Sequence, residues 1–259
     1  MPNAKWYQAA VRYPNYALLI VLAFWLSLYL AWNTLSAVNF LYPVLYNRLD
    51  IGTTIAQYGP VNRYKRGFET TTRDERIRLF GAIVEAVNHD GRGLAQIQYY
   101  NAQGRPLASF LREPEIVHLQ DVANLLHRLR VVSYFAAGLL LIVLAAQHRG
   151  RLPGPGWRGT LITVAGIVVT ASGLIAAYGP VAFFYKMHTL VFPAGHQWFF
   201  YYYESLMTTL MKAPDIFGYI AALLIVLTGA YFAAQLWLIR RFLNSRSVPG
   251  SARFAARQS

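Results

Sequence analysis

Cysteine is absent from all 259 residues. That absence excludes disulfides, thiolate metal ligands and any thiol nucleophile. Charge is sparse as well: 14% of the residues are Asp, Glu, Lys or Arg, while 56% are hydrophobic, a balance too apolar for an ordinary soluble domain. Lipid is implied as a second solvent. Acidic residues are the scarcest charged type, 11 against 24 Lys and Arg, and the formal net charge is +13. On a soluble fold such an excess would suggest nucleic acid. Here the basic residues flank apolar runs instead of forming a face, so no nucleic-acid partner is expected. A Gly-x-Ser-x-Gly elbow is missing, and neither Ser109 nor Ser205 has a histidine beside it, which disfavours serine catalysis. There is no internal repeat, and biased composition is confined to a Pro/Gly-rich turn at Leu152–Gly159 and a polar C-terminal tail expected to be disordered.

Four apolar runs are present: Tyr16–Val38, Val131–Gln147, Leu161–Phe184 and Ile216–Leu238. At about 1.5 Å per helical residue each reaches across a hydrocarbon core of about 30 Å, once the second is extended back to Pro114, a favourable first-turn residue. The first run lacks a convincing cleavage site and reads as a retained helix. The expected fold is a membrane all-α core of four transmembrane helices with a small extracytoplasmic α+β cap. The chain then divides into an N-terminus (1–15), first span (16–38), cap (39–113) and second span with an extended outer end (114–147). A short loop (148–160), third span (161–184), re-entrant or interfacial loop (185–215), fourth span (216–238) and tail (239–259) follow.

Orientation follows from the charges. Every acidic residue lies between Asp50 and Asp215, whereas Lys5, Arg12, Arg149, Arg151, Arg158, Arg240, Arg241, Arg246, Arg253 and Arg257 occupy flanks with no acidic residue at all. The positive-inside rule places those flanks, and both termini, in the cytoplasm.

The long first connection is patterned like a folded module. Thr72-Arg73-Asp74-Glu75 has the form of a capping box, and Ile77, Phe80, Ile83, Val84 and Val87 follow at helical spacing, predicting a helix over Arg73–Asn88. Leu94–Tyr100 and Leu107–Leu111 flank Asn101-Ala102-Gln103-Gly104 and read as two short strands around a turn.

Ionisable groups near membrane depth are costly and are functional candidates by default. His118, near the start of the second span, and His188, just beyond the third, both fall at the outer boundary, where a histidine pair can take and give a proton near neutral pH. Asp121 lies one turn after His118 and is expected to accept its imidazole N–H, fixing the tautomer. His89 and His127 read as flank residues, His148 sits among cytoplasmic arginines, and His196 is undecided. Glu113 and Glu115 favour the positive end of their helix; Glu115 is also a candidate substrate contact. The aromatic run from Trp198 to Tyr203 suits an interfacial belt or the wall of an acyl-chain site, making Phe192, Trp198, Tyr201 and Tyr202 candidate lipid contacts. Gly179-Pro180 predicts a helix bend. A His/Asp/His set is also metal-ligand chemistry, but no pair has tight zinc-site spacing, so no metal is expected.

Within the stretch from Phe110 to Val122, Glu115-Ile116-Val117-His118-Leu119-Gln120-Asp121-Val122 resembles the E-x-x-H-M-x-D-V motif of the lipoprotein intramolecular transacylases. His188, Phe192, Trp198 and Ser205-Leu206-Met207 stand in the order of that family's second histidine motif. Leu119 replaces its Met, Met187 stands where Phe is common, and Tyr201-Tyr202-Tyr203 replaces an Asp-Pro. The resemblance implies a bacterial cytoplasmic-membrane enzyme that moves the sn-2 acyl chain of a diacylglyceryl-cysteine lipoprotein to that cysteine's own amine, giving the lyso form. It implies His118, oriented by Asp121, and His188 as exchangeable base and acid, with no cofactor. Diacylglyceryl-modified lipoproteins and membrane lipid are the expected partners, and the enzyme is expected to act as a monomer. Two other classes stay open: a membrane accessory or assembly protein without catalysis, and a metal-dependent membrane hydrolase or oxidase.

Overall fold

The computed structural model describes residues 3–150 and 157–244. The Pro/Gly-rich turn, for the most part, and the last stretch of the tail lie outside them. Helix α1 runs over Asn3–Ala37, and two short helices, α2 (Tyr42–Arg48) and α3 (Ile51–Tyr58), precede α4 (Arg73–Asn88). Strands β1 (Gln98–Tyr100) and β2 (Pro106–Ser109) lead to α5 (Glu113–His148). Then come α6 (Trp157–Tyr178), α7 (Pro180–Val191), α8 (Leu206–Met211) and α9 (Asp215–Asn244).

Among the described residues, three helices are long and apolar enough to cross a bilayer: Pro14–Ala37, Glu113–His148 and Asp215–Asn244. The expected third span is not one helix. It stops at Tyr178, Gly179 takes a φ of +88°, and Pro180 opens α7. Glycine is the residue that tolerates this backbone, and proline with its fixed φ and missing N–H suits the first turn of the next helix.

Contacts divide the chain into two compact units. The first comprises Met1–Leu30, Ser133–Ala177 and Leu227–Ser259. Its core joins Leu19, Leu22 and Ala23 of α1 with Ala136, Leu140 and Val143 of α5 and Ile239 of α9. Large apolar side chains on the same helices point outward instead, Phe135 at 75% and Leu141 at 67% exposure. Such a surface is unfavourable in water and ordinary in lipid. With no water to satisfy polar groups there, the helices satisfy one another. Gln235 donates to the Ser27 hydroxyl at 2.9 Å, which in turn donates to the Ala23 carbonyl at 2.7 Å, and the Trp25 indole donates to Ser133 at 3.0 Å.

The second unit comprises Ala31–Val132 and Tyr178–Val226. Here α4 keeps its predicted bounds, its start fixed by the Thr72 hydroxyl, which accepts the Glu75 backbone N–H. The hairpin is antiparallel, Tyr99 opposite Ala108. Its turn is held by the Asn101 carboxamide, which accepts from the backbones of Gln103 at 3.0 Å and Arg105 at 2.9 Å. Phe68, Tyr99 and Phe110 pack their rings into one buried cluster. Tyr42 stacks on Phe80 with centroids 4.0 Å apart and donates to the Leu210 carbonyl at 2.7 Å, so α2, α4 and α8 share a core. Helices α2 and α3 were not anticipated from the sequence. Each is only two turns long, and their apolar residues Leu45, Tyr46, Ile51 and Ile55 are buried where α2 meets α3 and α4 and where α3 meets α8.

Candidate active site

The site lies in the second unit, where the first turns of α5, the end of α7 and the irregular segment 192–205 meet. Helix α5 begins with a backbone-anchored carboxylate: Glu115 Oε2 accepts the Arg112 N–H at 2.6 Å. This is the return half of a capping box, which satisfies a helix-start donor. Glu115 is fully buried, its other oxygen 3.8 Å from the Arg112 guanidinium, and Ser205 sits beside the same carboxylate. The guanidinium lies 4.5 Å from the Tyr64 ring centroid and 5.8 Å from that of Phe200. Lys65 reaches in from the other side, donating to the Ser109 hydroxyl at 3.0 Å and the Leu111 carbonyl at 3.3 Å. Burial pushes its ammonium below the ordinary lysine value, with Glu115 opposing the shift.

One turn further along α5, the His118 ring meets Phe192 edge-on at 5.1 Å and lies 6.2 Å from Phe200. Its Nδ1 is buried with no hydrogen-bond partner. His188, in the last turn of α7, contacts the same Phe192 at 5.4 Å and Trp198 at 4.6 Å. The two imidazoles predicted from sequence thus come together around one phenyl ring, enclosed by Trp198 and Phe200. Two nitrogen bases of this kind can accept a proton from one substrate atom and deliver one to another.

Asp121 departs from its expected role. Its carboxylate does not hydrogen-bond to His118; Oδ2 binds His196 Nδ1 at 2.6 Å. Residues one turn apart share a helix face, but which neighbour a carboxylate selects depends on what packs over that face, here the segment carrying His196. Nothing local in the sequence signals this pair, which is separated by 75 positions. Arg112 and Lys65 were likewise not singled out, although the i, i+3 spacing of Arg112 and Glu115 is a legible signal.

The candidate lipid contacts separate. Phe192 and Trp198 touch the imidazoles. Tyr202 instead stacks on Tyr58 at 4.8 Å and donates to the Ala213 carbonyl at 2.6 Å. Tyr201 stacks on Tyr203 at 5.3 Å and is 52% exposed. Neither tyrosine makes a ring contact or hydrogen bond with His118 or His188. A cavity of about 260 Å³ lies by Tyr58, Tyr202, Asp50 and Lys212, away from the histidines. Among the described residues, no three His, Asp or Glu side chains are grouped to hold a metal ion.

The family model described as lipoprotein intramolecular transacylase Lit matches residues 16–214, a range that includes Glu115, His118, Asp121, His188, Phe192 and Trp198. No curated protein and no solved structure matches the chain.

Proposed function

The chain belongs to the Lit family of lipoprotein intramolecular transacylases, and we propose that it moves the sn-2 acyl chain of a diacylglyceryl-cysteine lipoprotein onto that cysteine's own α-amine. The product is the lyso form, N-acylated and carrying a monoacylglyceryl group. The observation that carries this reading is the shared Phe192 contact of His118 and His188.

In the proposed reaction the amine nitrogen attacks the ester carbonyl carbon. An N–C bond forms, the C–O bond to glycerol breaks, and one proton passes from nitrogen to the departing oxygen. His118, with its unpartnered Nδ1, takes the amine proton; His188 supplies the proton to the glyceryl oxygen; the two roles are exchangeable. Donor and acceptor belong to one molecule, so holding them together supplies much of the rate and no acyl-enzyme is required. The absence of cysteine agrees with that scheme, since intermolecular N-acylation through a thiol would need one.

The proposed setting is a bacterial cytoplasmic membrane, with both termini inside and residues 39–113 forming a cap outside. Four spans are proposed, α6 supplying the third beside the three long apolar helices. The asymmetric charge distribution supports that orientation. Phe192 and Trp198 form the proposed acyl-chain wall.

Expression in a bacterium lacking N-terminal lipoprotein acylation, followed by mass spectrometry of a lipoprotein's N-terminal peptide, tests the proposal. The expected species is N-acyl, S-monoacylglyceryl cysteine. An unaltered diacylglyceryl cysteine with a free amine overturns it.

A further inference from the structure

Residues 192–205 must present two aromatic side chains to two imidazoles, yet from Gln197 to Phe200 the backbone has neither helix nor strand. Apart from the Arg63 backbone N–H, which donates to the Tyr203 carbonyl at 2.8 Å, side chains hold it. Its far end is secured at Glu204, paired with Arg63 at 3.3 Å, and at Ser205, whose hydroxyl accepts the Thr208 N–H at 2.9 Å. Its near end continues from α7. Between these, His196 reaches across to Asp121, whose side chain is only 12% exposed. His196 stands two residues before Trp198 and four before Phe200, while Asp121 stands one turn after His118. The bond between them ties the segment to the helix bearing the first imidazole, beside the ring contacts of Phe192 and Phe200 with His118.

We propose that His196 is a positioning residue: through Asp121 it clamps the segment 192–205 onto α5, seating Trp198 against His188 and Phe200 against His118. The inference rests on the acyl-transfer reading for its effect on rate, and on geometry alone for the clamp. A hydrogen bond of 2.6 Å between a carboxylate and an imidazole is a charge-assisted contact of the strong class. Loss of such a tether loosens both aromatic walls at once, and small misplacements of reacting groups are costly in rate.

The clamp needs only a donor at the Nδ1 position, not a group that exchanges protons. Asparagine places an amide N–H near that position and cannot act as acid or base. The full chain is purified in detergent as wild type, His196→Ala and His196→Asn. Turnover is followed by mass spectrometry on a diacylglyceryl lipoprotein peptide in mixed micelles, and hydrogen exchange is followed over 192–205. His196→Ala is expected to lose about tenfold or more in kcat, with faster exchange confined to 192–205. His196→Asn is expected to keep both near wild type. The clamp is overturned if His196→Ala keeps full turnover, or if His196→Asn is as impaired as His196→Ala while its exchange stays native, which would make His196 a proton carrier. If the wild-type chain forms no lyso-lipoprotein, the function reading fails, and exchange alone decides the clamp: equal exchange in all three chains overturns it, and faster exchange in His196→Ala alone upholds it.

Discussion

His118 and His188 lie against the same phenyl ring, with centroid distances of 5.1 and 5.4 Å to Phe192. One imidazole comes from the start of α5 and the other from the end of α7, so neither helix by itself makes the site. Their roles are tested by replacing each imidazole with a side chain of similar length that cannot exchange a proton near neutral pH. His118→Gln and His188→Gln are each expected to lower lyso-lipoprotein formation by about 10²-fold or more, with unchanged amounts of protein in the membrane fraction. Full activity in both variants refutes the assignment.

Glu115 offers a stability test. It is fully buried with one carboxylate oxygen 3.8 Å from Arg112, whose guanidinium nitrogens Nε and Nη2 have no hydrogen-bond partner. Truncation to Ala leaves a cation without its counter-charge, at a cost of about 3 kcal/mol. A lower midpoint of thermal unfolding in detergent should report it. Arg112→Ala in the same chain should recover part of the loss, because the stranded charge is then gone; a strictly additive double variant contradicts the pairing.

Tyr42 probes the core of the second unit. Its hydroxyl donates to the Leu210 carbonyl at 2.7 Å while its ring stacks on Phe80. Tyr42→Phe keeps the stack and strands the carbonyl, which should cost about 1–2 kcal/mol. Tyr42→Ala should cost more, about 3–5 kcal/mol, through the cavity it opens. Unfolding midpoints in that order bear on the packing; equal midpoints for the two variants count against it.

Within the apolar helices, the Gln235 amide and the Ser27 hydroxyl form an interhelical bond of 2.9 Å. Bonds of this kind between apolar helices contribute about 0.6 kcal/mol on average, so Gln235→Leu is expected to be mildly destabilising and to leave activity intact. A collapse of expression would show that this contact carries far more than its class.

Features governed by neighbouring residues were legible in the sequence. Helix α4 begins as predicted since Thr72, three positions from Glu75, supplies its own cap, and it stops at Asn88, ahead of the breaking sequence His89-Asp90-Gly91. The hairpin forms around Asn101 for the same reason, its carboxamide reaching only two and four residues on. The bend at Gly179-Pro180 was readable from two residues; that it ends one helix and begins another was not. Helices α2 and α3 were missed because so short a helix owes its existence to the partners that bury it. The packing of Tyr202 on Tyr58 was not legible because an aromatic run looks alike whether its rings face a substrate or stack on a neighbouring helix.

The sequence by itself determined the solvent of this protein, the ends of its locally capped elements and the two histidines worth testing, since hydropathy, capping and charge placement are properties of contiguous residues. Tertiary structure alone decided that His118 and His188 share Phe192, and that Asp121 serves His196 across 75 positions of chain. Those pairings depend on how separate segments pack over one helix face, and a helix face offers the same groups to every segment that could cover it.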